Sequence, residues 1–317
     1  MGASAISSAS PFVTATAPLD PAKFRDPQRT ARGEPRAQVA LKALKTLWFN
    51  TGTLCNLACA NCYIESSPTN DALAWLTRAD LEQYLDEIAR DGLPVEEIGF
   101  TGGEPFMNRD MVAMIATAQA RGHRVLVLTN AMRPLRRFET PLLALDRAGL
   151  TFRVSLDHYS AAVHDAERGA GSFAIALDGI RWLSANGFAL AIAGRHAAHE
   201  SDADARAGYA ALFAGLGLAM PPLVLFPEMD AKADVPEIST ACWGILDVDP
   251  DSMMCASSRM VVHRRGADAP AVLACTLLAY DPQFELGATL AEASRPVALN
   301  HPHCARFCVL GGASCSG

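Results

Sequence analysis

The chain is predicted to fold as an α/β protein, a partial (β/α)6 TIM-like barrel followed by a small Cys-rich C-terminal domain. Three features predict it. Short apolar runs alternate six times with amphipathic helical stretches, the alternation stops near residue 235, and the nine cysteines fall into two groups, at 55, 59 and 62 and at 242, 255, 275, 304, 308 and 315. Strands alternating with helices of this length build a parallel sheet. Six units are two fewer than a closed eightfold barrel requires, so the barrel is expected to be open.

Residues 1–36 are rich in Ala, Ser, Pro and Arg without a sustained period and read as a mobile arm. Order is expected from near Val39, in a short helix over "AQVALKALK". "TLWFN" (46–50) reads as the first strand and "TRADLEQYLDEIARDG" (77–92) as a helix, with Thr77 as cap, Asp80 at the capping-box position and Gly92 as its stop. "VEEIGFT" (95–101) is the second strand, "NRDMVAMIATAQARG" (108–122) a helix capped by Asn108, and "RVLVLT" (124–129) the third strand. "TPLLALDRAG" (140–149) is a helix with Pro141 at its first position. "TFRVSLD" (151–157) is the fourth strand, "SFAIALDGIRWLSANG" (172–187) a helix capped by Ser172, and "FALAIAG" (188–194) the fifth strand. "DADARAGYAALFAGLG" (202–217) is a helix and "PLVLF" (222–226) the sixth strand. Beyond them, "SSRMVVHRRGADAPAVLACTLL" (257–278) reads as a hairpin around Gly266, and "HPHCARFCVLGGASCSG" as a turn-rich tail. The predicted organisation is an arm at 1–36, a barrel at 37–238 and a Cys-rich domain at 239–317.

Composition narrows the function. A chain of 317 residues, half of them apolar, can bury a large core. The formal net charge is −7 and no Lys/Arg block is present, so no nucleic-acid partner is expected. No apolar run is long enough to span a bilayer. The first twenty residues lack the charged start and apolar core of a secretory signal, and Ile6 stands where a myristoylation motif wants Ser or Thr. A reducing cytoplasm is therefore expected, where cysteines serve as metal ligands or catalysts before disulfides.

"CNLACANCY" (55–63) holds Cys55, Cys59 and Cys62 with no fourth cysteine nearby. In a cubane [4Fe–4S] cluster three thiolates hold three irons and leave the last open to a substrate or cofactor, much as a catalytic zinc keeps an open position. Tyr63, directly after the triplet, can shield such a cluster or pack on a bound base. Two other readings stand beside it. One is a structural zinc site completed from elsewhere, since no Cys or His follows Cys62 within 55 residues. The other is three buried free cysteines behaving as small hydrophobes. A second motif bears on the choice: "FTGGEP" (100–105) ends the second strand. Gly102 and Gly103 permit close backbone approach to a ligand, and Glu104 would be held there as acceptor for an ammonium group. Ligands of parallel α/β sheets bind at the C-terminal strand ends, and the cysteine loop follows the first strand at that same edge. The two motifs therefore converge on one site.

Together, "CNLACANCY" and "GGEP" resemble the radical S-adenosylmethionine (SAM) superfamily, over roughly residues 45–235. The resemblance implies a partial (β/α)6 barrel and a [4Fe–4S] cluster whose unique iron is chelated by the amino and carboxylate groups of SAM. One electron then cleaves SAM to methionine and a 5′-deoxyadenosyl radical, which abstracts hydrogen from the substrate. It implies Cys55, Cys59 and Cys62 as cluster ligands, and Gly102, Gly103 and Glu104 as the segment meeting the methionine amino group. Thr129 and Asn130 of "LTN" and Ser155 of "VSLD" fall at SAM-contacting positions. Arg168 of "HDAERG" fills the place of an arginine that pairs with the SAM carboxylate, and Arg195 is a further candidate of that kind. Local alternatives are that Ser155 and Asp157 cap a turn, and that Arg168 lies on a solvated loop.

The later cysteines resemble the twitch and SPASM extensions of the same superfamily, which hold auxiliary [4Fe–4S] clusters. The resemblance implies one fully ligated auxiliary cluster drawn from Cys255, Cys275, Cys304, Cys308 and Cys315, with Cys242 set aside as a core residue. A zinc site using His301 or His303 beside Cys304 is the alternative. The expected function is a radical SAM oxidoreductase acting on a small molecule or peptide, with an electron donor such as flavodoxin or ferredoxin. Formation of C–C or C–S bonds in a small metabolite is a second reading, and a non-catalytic iron–sulfur or zinc scaffold a third. His158, Tyr159, Glu228 and Asp230 are candidates for substrate contacts.

Overall fold

A computed structural model describes residues 10–12, 17–195, 197–198, 200–227 and 232–312. After a two-residue strand, β1 (Gln38–Val39), six strands follow: β2 (Thr46–Asn50), β3 (Glu97–Thr101), β4 (Arg124–Thr129), β5 (Leu150–Ser155), β6 (Ala189–Arg195) and β7 (Leu223–Phe226). All six lie side by side in chain order, each pair parallel. This is the parallel α/β run the sequence predicts, and it is an open sheet. All five residues of β2 are buried, as a strand covered on both faces requires. Its Trp48 lies opposite Gly99 of β3, where any Cβ would run into the indole.

The helices cover the sheet. α1 (Arg78–Asp91) carries the predicted capping box, with Thr77 accepting from the Asp80 amide, and ends at Gly92 in the left-handed conformation. α2 (Met111–Ala120) has Asp110 at its N-cap position without a side-chain cap bond; the Asn108 side chain accepts from the Asp110 amide and donates to the Leu76 and Thr51 carbonyls. The predicted helix at 140–149 is replaced by two short pieces, α3 (Arg133–Arg136) and α4 (Glu139–Leu143). α5 (Ala161–Arg168) was not predicted as a helix. α6 (Ser172–Ala185) starts after Gly171, with Ser172 as its first residue; α7 (Asp202–Gly215) is capped by Ser201. A short α8 (Cys242–Leu246) follows.

Two expectations about the N-terminal region are corrected. Residues 17–36 are not a free arm: Lys23 pairs with Asp234 and the buried Arg36 with Glu237, and Pro18 bridges Ala233. No helix forms over 38–45, because β1 pairs with β11 (Val297–Ala298) and the Lys42 and Lys45 amides donate to the Ala256 and Ser257 carbonyls. Strands beyond residue 238 join the same sheet as β2 to β7. The predicted hairpin, β8 (Ser258–Val262) and β9 (Ala271–Leu273), places β8 parallel against β2, and β10 (Glu285–Gly287) extends it. One sheet of nine strands, in the order β10-β9-β8-β2-β3-β4-β5-β6-β7, runs through both regions.

Candidate cofactor site

The C-terminal ends of β2 to β6 open onto one cavity. Its wall includes Cys55, Cys59, Cys62, Tyr63, Gly102, Gly103, Thr129, Asn130, Ser155 and Arg168, so ten residues singled out from the sequence share one surface. Asp157, Arg195, Asn61, Ser66, Leu128 and Phe226 add to it, and Leu277 and Phe307 reach it from the C-terminal region.

The cysteine loop and the Gly-Gly segment are stitched together by backbone. The Gly103 amide donates to the Gly52 carbonyl (2.8 Å), the Glu104 amide to Leu54 (3.2 Å), and the Thr51 hydroxyl to the Thr101 carbonyl (2.9 Å). Gly102 has φ +135°, and a Cβ there would stand 2.6 Å from the Gly52 carbonyl oxygen; one on Gly103 would strike the Leu54 carbonyl. The two glycines thus let two protein backbones touch, in addition to facing the cavity.

Glu104 is not on the cavity wall. It is 1% exposed and lies behind the wall, its carboxylate accepting from the Thr129 hydroxyl (2.8 Å), the Asn130 amide (2.8 Å) and the Phe106 amide (3.1 Å). Burial pushes its carboxyl up to about 7, against the pull of those three donors. Its oxygens tie the ends of β3 and β4 together.

Arg168 grips Asp157 with both prongs of its guanidinium (2.7 and 3.2 Å). Burial opposes ionisation of Asp157, but Arg168 and then Arg195 outweigh it and hold the carboxyl down at about 2. Arg168 is therefore not a solvated surface residue, and its fork is not free. Arg195 lies beside the same carboxylate (3.6 Å), and its Nη1 is buried without a hydrogen-bond partner.

The donor set suits an iron–sulfur cluster. Burial pushes Cys55 up to about 12, with Glu104, Cys59 and Cys62 adding to the rise; burial pushes Cys59 up to about 11, opposed by Arg168. Sulfurs this reluctant to ionise become thiolates when a metal supplies the compensating charge. Three soft donors on one wall, without a fourth from the loop, leave one cluster iron open. Among the described residues, no three Cys, His, Asp or Glu side chains are gathered tightly enough for a single metal ion.

Several contributors escaped the sequence reading. Glu167 at the end of α5 holds the cysteine loop from behind: its carboxylate accepts from the Asn61 amide (2.8 Å) and its carbonyl from the Ala60 amide (2.9 Å). The Ser10 hydroxyl donates to the same carboxylate (2.6 Å), and the Arg195 guanidinium lies over the Phe12 ring, 5.3 Å from its centre. No sequence spacing links these residues. His158 and Tyr159 are absent from the cavity wall and both bind Glu200. Glu228 and Asp230 lie outside the described residues.

A second group forms in the C-terminal region. Cys255 sits in a turn before β8, Cys275 just after β9, and Cys304 and Cys308 in a π-helical turn, Cys304–Val309. Burial raises the Cys304 thiol well above its ordinary value, and Cys275, Cys308 and Cys255 each raise it further. Cys242 stands apart beside Ser239, half-buried; Cys315 lies outside the described residues.

A parallel sheet with a three-cysteine loop after one strand and a Gly-Gly turn after the next defines a class. Residues 49–196 match the Radical SAM superfamily. That superfamily uses a [4Fe–4S] cluster and SAM. The chain is 36% identical over 135 residues to the mycofactocin maturase MftC of Mycobacterium ulcerans, covering 43% of this chain and 35% of the relative. It is 34% identical over 140 residues to the antilisterial bacteriocin subtilosin biosynthesis protein AlbA of Bacillus subtilis, covering 44% of this chain and 30% of that protein. The chain thus matches about a third of the length of these curated relatives. In fold it is similar to Streptococcus suis SuiB bound to S-adenosylmethionine, with a TM-score of 0.57 at 12% identity, covering 78% of this chain and 64% of SuiB.

Proposed function

We propose that this chain is a radical SAM enzyme that modifies a peptide. The observation that carries the reading is the single cavity shared by the cysteine triplet, the Gly-Gly turn and the polar ends of β4 and β5. When bound, the [4Fe–4S] cluster and SAM supply a 5′-deoxyadenosyl radical able to take hydrogen from an unactivated carbon. The chain's own residues bind, orient and enclose. Cys55, Cys59 and Cys62 hold the cluster. Glu167 fixes the loop that carries them, through the Asn61 and Ala60 amides. Gly102 and Gly103 shape the wall beside it, with Tyr63, Thr129, Asn130 and Ser155 as SAM contacts. Glu104 acts from behind, by holding Thr129 and Asn130 in place.

For the SAM carboxylate, Arg195 is the better-placed partner. Its buried Nη1 has a hydrogen bond to give, whereas Arg168 is engaged by Asp157. Arg168 then acts through Asp157, keeping that carboxylate charged and Arg195 oriented. Leu277, Phe226 and Phe307 supply the apolar part of the wall and exclude water from the reacting centre.

Cys255, Cys275, Cys304 and Cys308 are proposed to hold an auxiliary [4Fe–4S] cluster, with residues 239–317 as its twitch/SPASM-like unit. A peptide substrate is favoured because one matched relative is named a maturase and another a bacteriocin biosynthesis protein. SuiB, of similar fold, has been crystallised with a precursor peptide. No helix of the described residues is long and apolar enough to cross a membrane. Cysteines that hold clusters suit a reducing cytoplasm, with a flavodoxin- or ferredoxin-type electron donor. The test is spectroscopic: in anaerobically reconstituted, reduced protein, SAM should change the electron paramagnetic resonance signal of one cluster. A spectrum indifferent to SAM would remove the assignment of the cavity.

A further inference from the structure

Arg259, on β8, is among the largest fully buried side chains, at 1% exposure. Its guanidinium donates only to carbonyls: Nε to Ala293 (2.8 Å), Nη1 to Cys255 (2.6 Å) and Ser258 (2.7 Å), and Nη2 to Arg295 (3.3 Å). No carboxylate of the described residues pairs with it, unlike the buried Arg36 and the partly buried Arg168. An arginine stays protonated even when buried. Arg259 therefore remains a cation in an interior that offers carbonyl dipoles and no resident anion. A buried charge without a counter-charge is costly, and carbonyls compensate it only in part.

Position supplies the missing partner. Cys255 lies immediately before β8 and bonds to Arg259 through its carbonyl. Cys275 follows β9, which pairs antiparallel with β8 in the register Met260 to Leu273, bringing the segment after Leu273 alongside Arg259. A four-iron cluster held by four thiolates is an anion, and gains a further negative charge on reduction. We infer that Arg259 is the built-in counter-charge of the C-terminal four-cysteine site and raises the reduction potential of the cluster bound there. A fixed cation beside the cluster stabilises the reduced, more negative form over the oxidised one. Arg259 is a positioning and tuning residue: it touches the backbone of a ligand residue, not the reacting atoms. The inference rests on the auxiliary-cluster reading above.

The test uses the full chain with Cys55, Cys59 and Cys62 changed to Ala, so that only the C-terminal cluster contributes. Its midpoint potential is measured by dye-mediated titration, with Arg259→Gln and Arg259→Lys added. Arg259→Gln should lower the ratio of reduced to oxidised cluster at fixed potential about tenfold, a fall of about 59 mV for a one-electron couple. Arg259→Lys keeps the charge but loses the fork, and should stay near the parent potential even where it lowers stability. A purely structural role predicts that both variants lose stability while neither, or both alike, shift the potential; either pattern overturns the inference. Should Arg259→Gln fail to take up iron, Arg259→Met, which also removes the charge, decides: a fall of about 59 mV supports the inference, an unchanged potential overturns it. Absence of iron from the parent triple variant would instead refute the auxiliary-cluster reading itself.

Discussion

Glu104 shows how one residue carries a motif's meaning in an unexpected way. Its carboxylate serves three internal donors, so Glu104→Ala leaves buried N–H and O–H groups unpaired, each costing about 1–3 kcal/mol. Its pH dependence has a definite sign. With the folded-state carboxyl raised to about 7, the folded protein holds a proton that the unfolded chain releases near 4.5. The contribution of Glu104 to stability is full below that lower value and is lost as pH rises through about 7. In urea denaturation, the gap between wild type and Glu104→Ala should therefore narrow from pH 5 to pH 8; a gap that widens contradicts the assignment. The two arginines separate in the same spirit. Arg195→Ala should weaken SAM binding by about ten- to a hundredfold, the loss of one charge-assisted contact, while iron content holds. Arg168→Ala leaves Asp157 buried with a weaker partner and should lower stability first. Equal loss of SAM affinity in both, with stability unchanged, would show Arg168 to be a direct ligand.

At the scale of elements, α5 and the cysteine loop depend on each other. Glu167 is 2% exposed and caps the loop from behind. Glu167→Ala should raise amide hydrogen exchange at Asn61 in the metal-free chain, with Ala60 less affected because its partner is a backbone carbonyl. Unchanged exchange at Asn61 would mean the loop is held by something else. What the sequence shows of this level is uneven, for physical reasons. The strands and α1 were legible because their signals are local: unbroken apolar runs, and a capping box with a glycine stop. α5 was not, because eight residues make little more than two turns, too short a stretch to repeat an apolar face. The glycines of "FTGGEP" were legible as a site of close approach, but not that the Gly52 and Leu54 carbonyls were the approaching atoms. The order at 17–36 was hidden because its partners lie some two hundred residues away, at Asp234 and Glu237.

Over the whole molecule, one sheet joins the two cysteine groups. β8 is hydrogen-bonded beside β2, so the strand leading into the first cysteine loop is next to the strand that follows Cys255. Phe307, between Cys304 and Cys308, and Leu277, just past Cys275, both reach the SAM-site cavity. The C-terminal site therefore forms part of the first site's wall, a relation that no spacing in the sequence encodes. Fully loaded protein should bind about eight irons, and changing the N-terminal triplet to Ala should halve that number. Iron analysis showing zinc in place of the remaining four would make the C-terminal site structural. The central claim is that the triplet and the Gly-Gly wall form one SAM-cleaving centre, and product analysis tests it most directly. Anaerobically reconstituted and reduced protein should convert SAM to 5′-deoxyadenosine, and the Cys55, Cys59 and Cys62 to Ala variant should form none; equal amounts from both proteins would contradict the account.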